Sequence, residues 1–532
     1  MLPVSLLALC AYAAASTPTA ASSNYTVASG WFASWHVADV PLSSVLWSKY
    51  THMVYAFATP TADPKTLFLA ESDEELLPQF VAAAHKNGVK AGLSIGGWGG
   101  STYFSSNVAS ASNRTSFVNS VTNLIQKYRL DLVDFDWEYP GVQGIGCNIV
   151  SASDTDNFLL MLQELRASPV AANVTLTAAT AVVPFPTTTN STATVAQFAT
   201  VLDWIVPMVY DLSWNWTAGA PRIQRALPSA PLDDACFADT PGAGAGDGSG
   251  LAGLGSARSA VEAWAAAGIP RAQIVLGVPA YGHSFDVNAS AAFLAPASSS
   301  SGAQLAPYPP YDTLNHTIGD KWDGAPAGGV NQCGDAQGPG GTWNFFALVA
   351  AGLLLPNGSA APGVPHRWDA CSATPYVYAA KAHPGDGGVL ISYVDPASFA
   401  AKGAFARANG LAGFSMWEVG GDPKGVLLDA MLSAATNASL TVTASTAAAA
   451  ATQPPASASA SASTTRFESS GAVGEYMSSS VYDCRRVNVI LVTLCLRRPT
   501  NHQLDLTPPG LAVSAHSSQM QITHALPSAY GF

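Results

Sequence analysis

Between about Val27 and Trp417 the chain alternates short apolar runs, rich in Val, Ile, Tyr and Phe, with longer segments whose apolar residues recur at helical spacing. Eight runs have the length and residue types of strands: VASGWFASW, HMVYAFA, VKAGLSIGG, LDLVDFD, NVTLTAAT, VLDWIVPMVY, QIVLGVPAY and GLAGFSMW. Between them, NRTSFVNSVTNLIQKYR puts Phe117, Val121, Leu124 and Tyr128 on one face, with Asn113 as the expected N-cap. SDEELLPQFVAAAHKNG and ARSAVEAWAAAG read as further helices that stop at glycine. Strands that read as near-continuous apolar runs, most followed by a helix, imply a parallel sheet covered on its outer face, and eight such units close into a (β/α)8 barrel.

Two stretches break the rhythm. About 130 residues separate the seventh and eighth runs, far more than one helix needs. They are dense in Gly and Pro and contain local strands such as GGVLISYV. This interval is expected to be an inserted α+β subdomain, residues 286–393, between barrel parts 21–285 and 394–436. After about Asn437 the composition turns to TVTASTAAAAATQPPASASASASTT. It cannot bury a core and reads as a flexible, O-glycosylated linker or stalk, 437–466. The tail 467–532 includes VNVILVTLCL, which at ten residues is too short to span a bilayer. No role is assigned to it.

Only 11% of residues are charged and 48% are hydrophobic; the net charge of −12 is spread thinly, without a basic stripe. Nucleic acid is therefore excluded as a partner, and a neutral substrate fits better than a polyanion. The opening MLPVSLLALCAYAAASTPTA has the apolar run and small-residue end of a secretory leader, residues 1–20. Asn-x-Ser/Thr triplets at Asn24, Asn113, Asn173, Asn190, Asn215, Asn288, Asn315, Asn357 and Asn437 agree with an extracellular or wall-associated destination. With Cys10 in the leader and Cys484 and Cys495 in the tail, Cys147, Cys236, Cys333 and Cys371 remain for the folded part. Four thiols permit three pairings. Cys147 with Cys236 and Cys333 with Cys371 is the preferred one, since each pair would staple neighbouring excursions. No CxxC or His-rich cluster points to a metal, and no cofactor is expected.

The chemistry concentrates in DLVDFDWEYP, Asp131 to Pro140. Alternation along a barrel strand puts Asp134, Asp136 and Glu138 on the inward face and Val133, Phe135 and Trp137 against the helices, with Asp131 on the outer parity. Alternating acids can also mark a solvated strand edge or a structural network. Three at strict spacing, bounded by aromatics at the end of the fourth strand, favour a catalytic site. Crowded together in low dielectric, at least one must keep a raised pKa, as a general acid requires.

DLVDFDWEYP resembles the DxxDxDxE signature of glycoside hydrolase family 18, the chitinases and their relatives. SIGGW (Ser94 to Trp98) resembles the family's SxGG motif and PMVYD (Pro207 to Asp211) its MxYD motif. LGVPAYGHSF and GFSMWE resemble its seventh and eighth strands, and the insertion resembles the extra domain of its deep-groove members. The resemblance spans residues 27 to 435. It implies that Glu138 is the general acid and that the substrate's own 2-acetamido oxygen is the nucleophile. Asp136 would orient and charge-stabilise that acetamido group, Asp134 would share a proton with Asp136, and Tyr210 would bond the acetamido carbonyl. Asp211 would tune Glu138 and contact the sugar. Ser94 would join the carboxylate network, while Gly96 and Gly97 allow close backbone approach.

Sugar rings bind by their apolar faces, so aromatic residues at strand ends are the expected groove. Trp417 matches the floor, Trp35, Trp98, Trp216 and Tyr281 match neighbouring positions, and Met208 matches the pocket base. Three positions depart from the family pattern. Trp31 replaces a common Tyr, which would take a hydroxyl from the network around Asp134. His283 replaces a common Arg and is expected to touch substrate. GGWGGS lacks a polar residue after its Trp. The expected activity is hydrolysis of β-1,4-N-acetylglucosamine linkages in chitin and chitooligosaccharides by a monomer without membrane insertion. An endo-β-N-acetylglucosaminidase acting on N-glycans and an inactive chitin-binding lectin are the alternatives.

Overall fold

All eight runs become strands of one parallel sheet. The computed structural model describes residues 25–187, 192–212, 225–235, 255–294, 304–312, 317–323, 329–336, 338–379 and 388–436. The expected leader, linker and tail lie outside them. In chain order the first strands are β1 (Val27–Ala33), β2 (His52–Pro60), a two-residue β3 (Leu67–Phe68) on the edge of β2, and β4 (Lys90–Gly96). They are followed by β5 (Leu132–Asp136), β6 (Thr175–Thr180), β7 (Trp204–Pro207) and β8 (Val275–Pro279). β9 (Tyr281–Asp286), β10 (Thr342–Asn344), β11 (His366–Asp369), β12 (Thr374–Ala379) and β13 (Val389–Ser392) come next, and β14 (Gly413–Trp417) is last.

The parallel ladder runs β7-β6-β5-β4-β2-β1-β14-β8. Bridges between Ile205 and Ile274 and between Met208 and Gly277 bring β8 back to β7, so the sheet nearly closes on itself. β9 to β13 form a separate antiparallel sheet in the order β10-β9-β13-β12-β11, inserted between β8 and β14. It has its own apolar cluster, including Phe285, Val287, Tyr376, Tyr378 and Leu390. The fold is a (β/α)8 barrel carrying an α+β insertion.

Strand parity sorts the barrel's side chains. Leu132 joins Val27, Trp31, Val54, Ala179, Val206 and Val275 in the interior. Val133, Phe135 and Trp137 belong to the shell between barrel and helices, where the Trp137 ring stacks on Phe104 at 5.1 Å and meets Phe158 edge-on at 5.4 Å. Asp131, on the outer parity, accepts from the Ala91 backbone N–H at 2.9 Å and pairs with His85 at 2.7 Å. Among the described residues no helix is long and apolar enough to cross a membrane.

Two expectations are corrected. The helix Ala111–Tyr128 starts earlier than expected and is capped by Ser110, whose hydroxyl accepts from the Asn113 N–H at 3.2 Å. Asn113 lies inside the first turn and donates its side-chain amide to the Ser106 carbonyl. The expected cysteine pairing is also wrong: Cys147 is bonded to Cys333, across 186 residues. Cys371 is disulfide-bonded as well, and Cys236 lies outside the described residues. Neighbourhood in sequence misled here, because the insertion's excursion around Cys333 comes to the loop after β5, where Cys333 Sγ also lies 3.9 Å from the Ile145 carbonyl.

Candidate active site

Register explains how Asp134 is held. Ser94 on β4 and Thr177 on β6 both stand level with Asp134 on β5, on the same inward parity. Their hydroxyls donate to its carboxylate from both sides, Ser94 to Oδ2 at 2.8 Å and Thr177 to Oδ1 at 2.6 Å. Trp31 reaches across the barrel from β1 and donates its indole N–H to Oδ2 at 3.1 Å. The Tyr-to-Trp departure therefore exchanges one donor for another. Burial raises the Asp134 pKa, and these donors oppose the rise.

One step of two along the strand, Asp136 is equally enclosed but less well served. Burial, then Glu138 and Asp134, push its pKa well above the usual carboxylate range. Its Oδ1 is buried without a hydrogen-bond partner among the described residues. An unpaired carboxylate oxygen in such a place is costly, and a substrate N–H would satisfy it. Gly96 makes room beside it: at φ 118° a Cβ there would collide with the Asp136 carbonyl oxygen. That carbonyl accepts from the Gly97 N–H at 2.9 Å, so the SxGG turn lies directly against the strand end.

Glu138 follows just beyond the strand and is buried. Burial, then the charge of Asp211, raises its pKa from 4.5 to about 7, against a hydrogen bond with Tyr139. At neutral pH it therefore holds a proton for a large part of the time. Asp211 adopts a left-handed backbone, φ 60°. Its carboxylate accepts from the Tyr281 hydroxyl at 2.7 Å and pairs with His283 Nε2 at 2.7 Å. Tyr210 is buried and its hydroxyl is kept from ionising by burial and the surrounding carboxylates. It can act only as a neutral hydrogen-bonding group.

The aromatic residues meet at the same end of the barrel. Tyr210 and Tyr281 form one cluster, against which Met208 and Trp417 pack. Trp417 lies 5.5 Å from Phe57 in a stacked arrangement, 5.9 Å from Trp31 edge-on and 6.2 Å from Trp35. Trp35 in turn stacks on Phe57 at 6.0 Å. Trp98 is half-buried on the loop after β4, and Trp216 lies outside the described residues. His283 is directed to Asp211 and is almost fully buried.

Sequence reading missed Phe57, which enters the mouth because the β2–β4 register shifts between Tyr55 and Ala58. It also missed His36 and Glu418. Glu418, next to Trp417, binds His36 Nδ1 at 2.8 Å, and the His36 ring stacks at 3.8 Å on Trp322 of the insertion. Trp322 donates its indole N–H to Asp39 at 2.6 Å. The SMWE motif held a signal for Glu418, whereas nothing in the sequence pairs His36 with a residue almost three hundred positions away.

A buried carboxylate trio at the end of the fourth parallel strand, ringed by tyrosines and tryptophans, defines a barrel enzyme that works on a carbohydrate-like substrate. The family model for glycosyl hydrolases family 18 matches residues 27–422. The chain belongs to that family and is a glycoside hydrolase. It is 43% identical over 434 residues to a chitinase-like effector of Moniliophthora roreri, covering 81% of this chain and 98% of that one. A chitinase-like effector of Moniliophthora perniciosa is 41% identical over 416 residues, covering 78% and 88%. The crystal structure of the chitinase RmChi1 from Rhizomucor miehei superposes with a TM-score of 0.60 at 30% identity, covering 77% of this chain and 98% of that one. Family and relatives together support chitin hydrolysis in general terms.

Proposed function

We propose that the protein is a secreted chitinase that cleaves β-1,4-N-acetylglucosamine linkages with retention, using the substrate's acetamido group as nucleophile. The observation that carries this reading is the pairing of a glutamate whose pKa is raised to about 7 with a buried aspartate oxygen that has no hydrogen-bond partner among the described residues. Protonated Glu138 donates to the glycosidic oxygen as the bond to the anomeric carbon breaks. The acetamido oxygen attacks that carbon from the opposite face and gives a cyclic oxazolinium ion. Asp136 accepts the acetamido N–H and balances the positive charge, Tyr210 bonds the acetamido carbonyl, and Asp134 shares the proton load. Glu138, now ionised, takes a proton from the water that opens the ring. The half-buried aromatic floor of Trp417, Phe57 and Trp35 supplies stacking surface for successive sugars. Exposed sequons at Asn173, Asn288 and Asn357, together with disulfides, suit an oxidising export route.

One other role is weighed, capture of chitooligosaccharides without cleavage, because the two Moniliophthora relatives are named chitinase-like effectors and not chitinases. Retention of Glu138, Asp136, Asp134 and Tyr210 argues for catalysis. The deciding experiment incubates the secreted protein and its Glu138→Gln variant with chitooligosaccharides of several lengths and with an N-glycoprotein. Products are read by mass spectrometry and NMR. Early β-anomers from the oligosaccharides, lost in the variant while oligosaccharide binding persists, are expected. Binding without products from the parent would establish capture. Deglycosylation with inert chitooligosaccharides would move the substrate to N-glycans.

A further inference from the structure

Glu138 is held by its backbone from two sides, and both holds lead to the insertion. Its N–H donates to the Ser101 hydroxyl at 2.9 Å, on the loop that follows β4. Its carbonyl accepts from the Asn148 side-chain amide at 2.7 Å, on the loop that follows β5. Both partners are buried. The two loops are tied to each other where the Ile149 N–H donates to the Thr102 carbonyl at 3.0 Å.

The insertion grips each loop within one or two residues of these contacts. Cys333 is bonded to Cys147, the residue before Asn148. Its neighbour Gln332 donates its side-chain amide to the Gly99 carbonyl, and the same nitrogen lies 3.4 Å from the Thr102 hydroxyl, so Ser101 falls between its two contacts. The gripping segment is itself braced. Asn331 Oδ1 accepts from the N–H groups of Cys333 and Asp335, both at 2.9 Å. Asp323, upstream of this segment, accepts from the Gly341 and Thr342 N–H groups downstream of it, where β10 joins the insertion's sheet, with bonds of 3.0 Å to each.

From this juxtaposition we propose that the Cys147–Cys333 bridge and Gln332 are positioning elements for the catalytic acid, through which the insertion fixes the aim of the Glu138 carboxyl. The proposal rests on the glycosidase reading given above. Proton donation to a glycosidic oxygen tolerates little displacement, and a shift of about 1 Å can cost on the order of a hundredfold in rate. A bridge that served stability alone would leave the chemical step untouched. A bridge that aims the acid acts on kcat and on the pH profile, with little effect on KM.

The test compares the parent, the double variant Cys147→Ser/Cys333→Ser, Gln332→Ala and, as control, Cys371→Ser, which removes another disulfide bonded residue of the insertion. Each is assayed on 4-nitrophenyl chitooligosaccharides, with kcat, KM, the pH dependence of kcat and Tm measured. The double variant is expected to lose kcat about tenfold or more with KM within twofold, and to shift the alkaline limb of kcat. Gln332→Ala should move kcat in the same direction by a smaller factor. Cys371→Ser should lower Tm while keeping the parental kcat and pH profile. A double variant with lowered Tm but parental kcat and pH profile overturns the proposal. If the double variant does not fold, parental kcat in Gln332→Ala overturns it. A parent chain inert on every substrate overturns the function on which the proposal rests, and the proposal with it.

Discussion

Asp211 raises the pKa of Glu138 by its charge while its own carboxylate is shared between Tyr281 and His283. Its left-handed backbone is a conformation that Asn tolerates at least as well as Asp, so Asp211→Asn removes the charge with little backbone strain. In the proposed mechanism Glu138 must be protonated to donate, and its protonated form disappears as pH rises through its pKa. The parent's alkaline limb is therefore expected near pH 7. Without the Asp211 charge the Glu138 pKa falls, and the limb moves to lower pH. Profiles of kcat against pH for parent and variant check this; a limb that stays in place or moves upward would remove Asp211 from the tuning of the acid. At this scale the alternation of Asp134, Asp136 and Glu138 was legible because strand parity is strictly two. The Trp31 bond to Asp134 was not, since it spans 103 positions and exists only once the barrel closes.

The eight barrel strands were recognisable, because each is a largely apolar run bounded by turn residues, and their parallel arrangement follows from the helices between them, whereas β3 and the insertion's β10, β11 and β12 were not read from the sequence. Irregularities within and between elements were hidden. Nothing in HMVYAFA marks the register shift after Tyr55 that brings Phe57 to Trp417 and Trp35. The pairing of Cys147 with Cys333 depends on how far the insertion reaches, which loop composition does not encode. The start of the helix Ala111–Tyr128 was misjudged for a local reason: Ser110 and Asn113 are both good capping residues, and only the extended backbone of Ser110 decides between them, at φ −126° and ψ 158°. Ser110→Ala should lower the unfolding free energy by about 1 kcal/mol in urea titrations, the usual cost of a lost cap. A variant as stable as the parent would show that the helix start is held by its packing alone.

Across the whole molecule, three buried carboxyls share one end of a barrel in a chain with few charges, and all three have raised pKa values. A carboxyl whose pKa is higher folded than unfolded binds its proton more tightly in the native state. Stability then falls as pH rises through the interval between the two values. For Glu138 the interval runs from 4.5 to about 7. The full difference corresponds to about 3 kcal/mol above pH 7 and vanishes near pH 4, where both states are protonated. Glu138→Gln keeps the shape and removes the charge, so it should cost activity but gain stability in a pH-dependent way. Denaturant unfolding at pH 8 is expected to show the variant more stable than the parent by about 3 kcal/mol, and at pH 4 the two should coincide. The gain is attributed to charge burial only if it disappears on acidification, because a packing effect of the amide would be the same at both pH values. An equal gain at pH 4 and pH 8, or none at pH 8, would mean that Glu138 is not held as a strained acid. The alkaline limb of activity would then need another titrating group.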